Sequence, residues 1–353
     1  ALMSTLKDIA ARVGVSQGCV SRVLKGDPTF SIQEATRFKI LEAAREMGYR
    51  SQFSGVRRSG LTKDTLVLLL LYPEQAEIED PYYHTVRIGV TSEAGGKGYS
   101  VWEIFYTPDL ELDFSQKNIK GFIVVGSTSE WSRCDELRRQ LLTGGLPIVF
   151  ADFDPGEPGC DSVVTDFHLA MEKALQHFLA LGYREIGYIG GQEYREGSKP
   201  IVDLRVQYFQ DILTRAGCYR KEHVFIANTV SMQVGYTLAC QAAQQGLPRA
   251  LFVETDTMAI GVLKALKERG VQVPGQTALI SCNDISTAQF LTPTLSTIRI
   301  DSRLIGNLSA RALLDQIHSA RPGGVRMITP NELILRESCP ALPPAPAQEK
   351  EAF

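Results

Sequence analysis

Apolar positions recur at helical spacing from the start of the chain, at Leu6, Ile9, Ala10 and Val13, which predicts an amphipathic helix. Thr5-Leu6-Lys7-Asp8 has the form of a capping box at its start, and Gly14 ends it. Ser16 is placed to cap a second helix whose inward face is Val20, Val23 and Leu24. Only Gly14 and Val15 part the two, so they must cross at a tight turn. Ser31-Ile32-Gln33-Glu34 is a second capping box. It opens a helix whose inward positions are Ala35, Phe38, Leu41, Ala44 and Met47, stopped by Gly48. Helix, glycine turn, helix, loop, helix is the helix-turn-helix plan; a three-helix bundle without a DNA role is the alternative.

Arg50 to Thr62 is polar, basic and glycine-punctuated, as a linker would be. Beyond it the period changes. Strands are predicted at Leu66–Tyr72, Tyr99–Tyr106, Gly121–Val125 and Leu146–Ala151, then at Glu185–Gly190, His223–Ala227, Ala250–Glu254 and Ala278–Cys282. Helices are predicted at Tyr82–Lys97, Ile201–Ala216, Met232–Gln245 and Met258–Arg269. Strands about thirty residues apart with helical crossovers imply doubly wound parallel sheets, and the run is too long for one sheet of ordinary width. The expected fold is therefore α/β, with an N-terminal helix-turn-helix head.

The 353 residues are 44% hydrophobic and 22% charged, the balance of an ordinary globular protein of two or three domains. The longest apolar run, Leu66 to Tyr72, is far short of a membrane span. Met3 reads as the natural start, and no secretory signal is expected, because a charged periodic segment follows at once. Seven cysteines without a CxxC pair point to reduced thiols in a cytoplasm. The five histidines lack metal-ligand spacing, and no GxGxxG or P-loop follows a strand, so neither a metal nor a cofactor is expected. Net charge is −3, but residues 1–62 hold ten basic and five acidic side chains, so a head of +5 sits on a body of −8. A basic module on an acidic body suits a polyanion partner. Gly14-Val15-Ser16-Gln17-Gly18 matches the GxSxG elbow of hydrolases, yet that chemistry needs a strand before the serine.

Leu6-Lys7-Asp8-Ile9-Ala10, Gly14-Val15-Ser16 and Val20-Ser21-Arg22-Val23-Leu24 resemble the DNA-binding head of the LacI/GalR family of bacterial repressors. The resemblance implies a second helix lying in the major groove of double-stranded operator DNA. Gln17, Gly18 and Arg22 would be its base-reading positions, with Gln17 suited to adenine and Arg22 to guanine. Gly18 departs from the family by removing a readout group, and Cys19 is a candidate substitute. Thr5, Ser16 and Ser21, with Ser31, would touch phosphates. Where the family places a hinge leucine, this chain has Arg57 and Arg58, which leaves Val56 as a smaller wedge or the arginines in a narrowed minor groove.

The body resembles the same family, whose core is like a two-lobed periplasmic sugar-binding protein with ligand in the cleft. Matching stretches include Leu146–Asp152, Leu181–Gly191 and Ala250–Pro274, with Leu295–Arg299 at the last crossover. The expected division is head 3–49, hinge 50–64, core 65–339 and disordered tail 340–353. Lobe 1 would comprise about 65–165 and 297–325, and lobe 2 about 166–296 and 326–339. The implied effector positions are Asp80, Tyr82, Asp166, Arg205, Thr255 and Asn283. Tyr208 replaces the glycine of the family pattern that Arg205 heads, and Asp256 is either a ligand or a helix cap. Asn283 with its flanking residues looks most like galactose- and β-galactoside-responsive members. The resemblance implies a homodimer, since no leucine heptad is present, that leaves its operator when sugar binds. An activator, a regulator using a phosphorylated ligand, and an enzyme using Asp80 and Asp166 as a carboxylate pair are the rival readings.

Overall fold

The computed structural model describes residues 6–24, 32, 36, 39–40, 43, 63–107, 110, 118–191, 203–319 and 323–342. The chain divides into two compact units, residues 1–61 with 108–113 and residues 62–107 with 114–353. In the head, helices span Leu6–Val13 and Gln17–Leu24. Gly14 takes φ +75°, and the N–H groups of Gly14 and Val15 both donate to the Ala10 carbonyl, at 2.9 and 3.1 Å. A side chain resists that left-handed turn; glycine does not. The Cys19 N–H donates to Ser16 Oγ at 3.2 Å, so Ser16 caps the second helix. Ile9, Ala10, Val20 and Val23 form one apolar cluster with Ile40 and Ala43. Ile40 and Ala43 are not among the core positions predicted for the third helix; those, Ala35, Phe38, Leu41, Ala44 and Met47, together with Thr5, Ser31, Val56, Arg57 and Arg58, lie outside the described residues.

In the body, β1 (Thr65–Leu70), β2 (Ser100–Phe105), β3 (Ile119–Val125), β4 (Ile148–Ala151) and β5 (Asp161–Thr165) come first. β6 (Ile186–Gly191), β7 (Val224–Ala227), β8 (Ala250–Val253) and β9 (Ala278–Asn283) follow, then β10 (Ser296–Ile300), β11 (Arg326–Thr329) and β12 (Asn331–Ile334). They build two six-stranded sheets, in the orders β11-β5-β4-β3-β1-β2 and β12-β10-β9-β8-β6-β7. The first sheet is parallel throughout, and in the second only β12 runs antiparallel. Every residue of β1 is buried, as expected of a parallel strand covered on both faces.

Helix Pro81–Gly96 packs on helix Ser302–His318 in the first lobe, and Met232–Gln245 packs on Asp256–Glu268 in the second. Glycines set both contacts. A Cβ on Gly306 would stand 2.1 Å from the Val86 carbonyl oxygen, and one on Gly261 would stand 1.8 Å from that of Met232.

Two lobe boundaries differ from the expected division. Ser296–Ile300 pairs in parallel with β9 and buries Ile298 and Ile300, so residues 297–300 belong to the second lobe, and the chain crosses at Asp301. Arg326–Thr329 pairs with β5 and belongs to the first lobe, not the second. Pro330 alone then separates β11 from β12 in the other sheet.

Candidate DNA-reading helix and effector cleft

Gln17, Gly18 and Arg22 are exposed on the second helix of the head, and Ser21 is half-buried. Among the described residues a Cβ on Gly18 would meet only Ser16 Oγ, at 3.9 Å, so the missing side chain answers no crowding from them. Cys19 is half-buried and packs against the head's apolar cluster. Because a helix precedes Ser16 and its hydroxyl caps the next one, the strand-turn-helix context of a nucleophile elbow is missing here.

In the body, side chains gather where strands of both sheets end. Asp80, after β1, caps helix Pro81–Gly96 by accepting the Tyr82 N–H at 3.0 Å. Burial raises its carboxyl above the usual range, while the Tyr82 N–H and the Arg205 charge, the latter from the second lobe, pull it back. The Tyr82 ring is buried, and its hydroxyl donates to Asp152 Oδ1 at 2.6 Å. Asp152 follows β4 in a left-handed conformation, φ +77°, an unusual backbone for a residue with a side chain. Burial lifts its carboxyl to about 7, against the pull of Tyr82 and Arg205.

Arg205 is the hub of the second lobe. It lies in the first turn of helix Leu204–Arg215, which Asp203 caps. Nε donates to Asp203 Oδ1 at 2.8 Å, one terminal nitrogen donates to Asp203 Oδ2 at 2.9 Å and Glu254 Oε1 at 3.1 Å, and the other donates to the Glu254 carbonyl at 3.0 Å. The guanidinium also lies 4.9 Å from the centre of the Phe167 ring, within cation–π range. Burial works against the Arg205 charge, and Asp203 and Glu254 more than offset it. Glu254 Oε2 accepts from the Tyr188 hydroxyl at 3.0 Å and the Gly191 N–H at 2.8 Å; burial lifts this carboxyl to about 7.

Asn283 ends β9 with φ +118°, and among the described residues its side-chain amide has no hydrogen-bond partner. The next residue, Asp284, is held by Arg299 and Arg336, each at 2.7 Å. Thr255 is the N-cap of helix Asp256–Glu268, accepting the Met258 N–H at 3.1 Å. Asp256 is buried within that helix. Its Oδ1 accepts from Ser281 and Thr297, its Oδ2 from the Ile285 N–H, and burial lifts its carboxyl to about 7. It joins strand ends together and does not cap the helix. Asp166 caps helix Phe167–Ala180 through the Leu169 N–H, at 2.9 Å. Asp80 and Asp166, the pair an enzyme reading would use, are thus both helix caps. Tyr208, in the family's glycine position, sets its ring edge-on to His168, centres 5.0 Å apart.

Asp152, Asp203, Glu254 and Phe167 join the site without having been singled out from sequence. Asp203 was within reach, since an acid two residues before Arg205 at a helix start is a cap. Gly190 was the signal for Glu254: a Cβ there would stand 2.3 Å from Glu254 Oε2.

Comparison with known proteins places these observations. Residues 5–52 match the family of bacterial regulatory proteins described as lacI, and residues 175–339 match the periplasmic binding protein-like domain. The HTH-type transcriptional repressor MelR of Bacillus subtilis is 34% identical over 349 residues, covering 96% of this chain and 98% of that protein. The HTH-type transcriptional regulator GanR of the same organism is 32% identical, covering 95% and 99%. The regulator GalR of Lacticaseibacillus casei is 30% identical, again covering 95% and 99%. Among solved structures, a CelR–cellobiose complex superposes with a TM-score of 0.67 at 24% identity, covering 95% of this chain and 99% of that one. The lac repressor dimer bound to operator and the anti-inducer ONPF superposes with a TM-score of 0.63 at 20% identity, covering 96% and 100%; at such identities the likeness is one of fold. With an exposed recognition helix on a capped turn, a two-sheet core and relatives matched from end to end, this chain belongs to the LacI family of bacterial transcriptional regulators.

Proposed function

We propose that this regulator is a sugar-responsive repressor, a homodimer that holds a near-palindromic operator and lets it go when a galactose-type sugar enters the cleft. The observation that carries the reading is the set of polar side chains at strand ends of both lobes, Asp80 after β1 and Asp152 after β4 in the first, Arg205 with Glu254 after β8 in the second. Polar groups from both lobes therefore face one another at strand C-termini, where open α/β sheets bind ligands. A sugar offers paired hydroxyls that both donate and accept, and carboxylates, a guanidinium and the open Asn283 amide complement them. Asp80, Tyr82, Asp166, Arg205, Thr255 and Asn283 remain the proposed effector positions, with Asp152 added to them. On the DNA side, Gln17 and Arg22 read bases, and the hydroxyls of Ser16 and Ser21 position the head on phosphates.

The test is fluorescence anisotropy at fixed salt, since affinity varies steeply with it, on DNA from upstream of the gene and its neighbours. Tight operator binding released by galactose or a galactoside is the expected result. Binding that ignores every neutral sugar would overturn the effector, and binding no tighter than to random DNA would overturn the operator.

A further inference from the structure

We propose that Glu254, together with Asp203, determines which charge of ligand the cleft accepts: by neutralising Arg205 in place, they fit the site to neutral sugars and exclude phosphorylated or carboxylated ones. The inference rests on the reading that sugars bind in this cleft. An arginine in a binding cleft ordinarily recruits anions, because its planar fork matches a carboxylate or phosphate through two parallel N–H donors. Here that fork is already filled from within the lobe. Of the five N–H groups a guanidinium carries, four point at Asp203 and Glu254, and the side chain is 12% exposed. Among the described residues one N–H is left, enough for a single hydroxyl and too few for a bidentate anion.

The arrangement is built in. Glu254 is 3% exposed, and its second oxygen is fixed by Tyr188 and Gly191. A Cβ on Gly190 would collide with it, so β6 needs a glycine there; the next glycine, Gly191, makes room for Val230 and the Thr229 carbonyl instead. An incoming anion would find no open guanidinium edge, and Asp203 and Glu254 already against the charge it would seek.

The experiment compares galactose with galacturonate and galactose 6-phosphate, which share the ring and differ in charge, by isothermal titration on the full-length protein. Wild type, Glu254→Gln and Asp203→Asn are titrated in parallel. Glu254 is buried, so its variant is first checked by thermal unfolding; Asp203, with a third of its side chain exposed, gives an independent second variant. Wild type is expected to prefer galactose, and each variant to shift the galactose-to-anion affinity ratio toward the anions by about tenfold or more, as removal of a like charge allows. A ratio unmoved in both folded variants, or a wild type that prefers the anions, would overturn the assignment while leaving the sugar reading in place. No binding of any of the three sugars to wild type would sink the sugar reading, and the assignment with it.

Discussion

Tyr82 and Asp152 meet hydroxyl to carboxylate across 2.6 Å, joining the helix after β1 to the left-handed turn after β4. Burial lifts Asp152 from 3.8 to about 7 in the folded chain. A carboxyl raised in this way favours folding at acid pH, and that share is lost as pH rises through the folded value. The Tyr82 hydroxyl matters most once the carboxylate is ionised. Tyr82→Phe is expected to cost about 0.5–1.5 kcal/mol near pH 5.5 and about 1.5–3 kcal/mol above pH 8. Urea unfolding at the two pH values checks this, and equal losses would contradict it.

Asp256 gives a second titration with the same sign. Its folded value of about 7 stands above the ordinary 3.8, so its contribution falls as pH rises from about 4 to 7. Asn at this position must set its N–H₂ either against the Ile285 N–H or, turned over, against the Ser281 and Thr297 hydroxyls that now donate. Asp256→Asn should cost about 1–3 kcal/mol at acid pH, and the gap from wild type should narrow toward neutrality. Denaturant melts across the range would show a constant gap if burial were not the cause.

The glycine contacts between helices predict opposite outcomes for one substitution. Gly261→Ala drives a methyl into the Met232 carbonyl and should destabilise by about 3 kcal/mol or more. Gly95→Ala, in a helix end with nothing within 4 Å among the described residues, should be neutral or stabilising by up to about 1 kcal/mol. Thermal unfolding of the two variants settles the contrast.

In the head, Ser16→Ala removes the cap on the Cys19 N–H and should cost about 0.5–2 kcal/mol of local stability, weakening operator and random DNA binding alike. Arg22→Ala should instead cost about 1–3 kcal/mol on the operator and relax one base position. Anisotropy on both DNAs separates these, and equal losses for Arg22→Ala would remove it from base reading.

The legible parts of the chain were those with strong local contrast. Ser16, Gly14 and the apolar spacing around them foretell the capped turn, and Met232–Gln245 forms at its predicted bounds. Helix Ser302–His318 went unforeseen because much of its buried face is small or polar, with Ser302, Gly306, Ser309 and Ala310 inside. Strand β11 shows no alternation, since three of its four residues are partly or fully exposed; it exists because β5 offers an edge. Arg205 could be singled out from a family pattern, but its partner Glu254 stands 49 positions away. A carboxylate at a strand end looks like any solvated acid until a sheet brings it beside an arginine.

The passage through Pro330 has a mechanical consequence. Two peptide steps span at most roughly 7 Å between the Cα atoms of Thr329 and Asn331, so the sheet edges at β11 and β12 cannot draw apart. The other two passages leave from β5 and β10, each the next strand in from that edge. All three tethers thus lie on one side, and the far margins at β2 and β7 carry none. The lobes are bound like the boards of a book along its spine, free to swing and barred from sliding. Whatever closes on a ligand turns by an angle that grows into distance only toward the untethered margin.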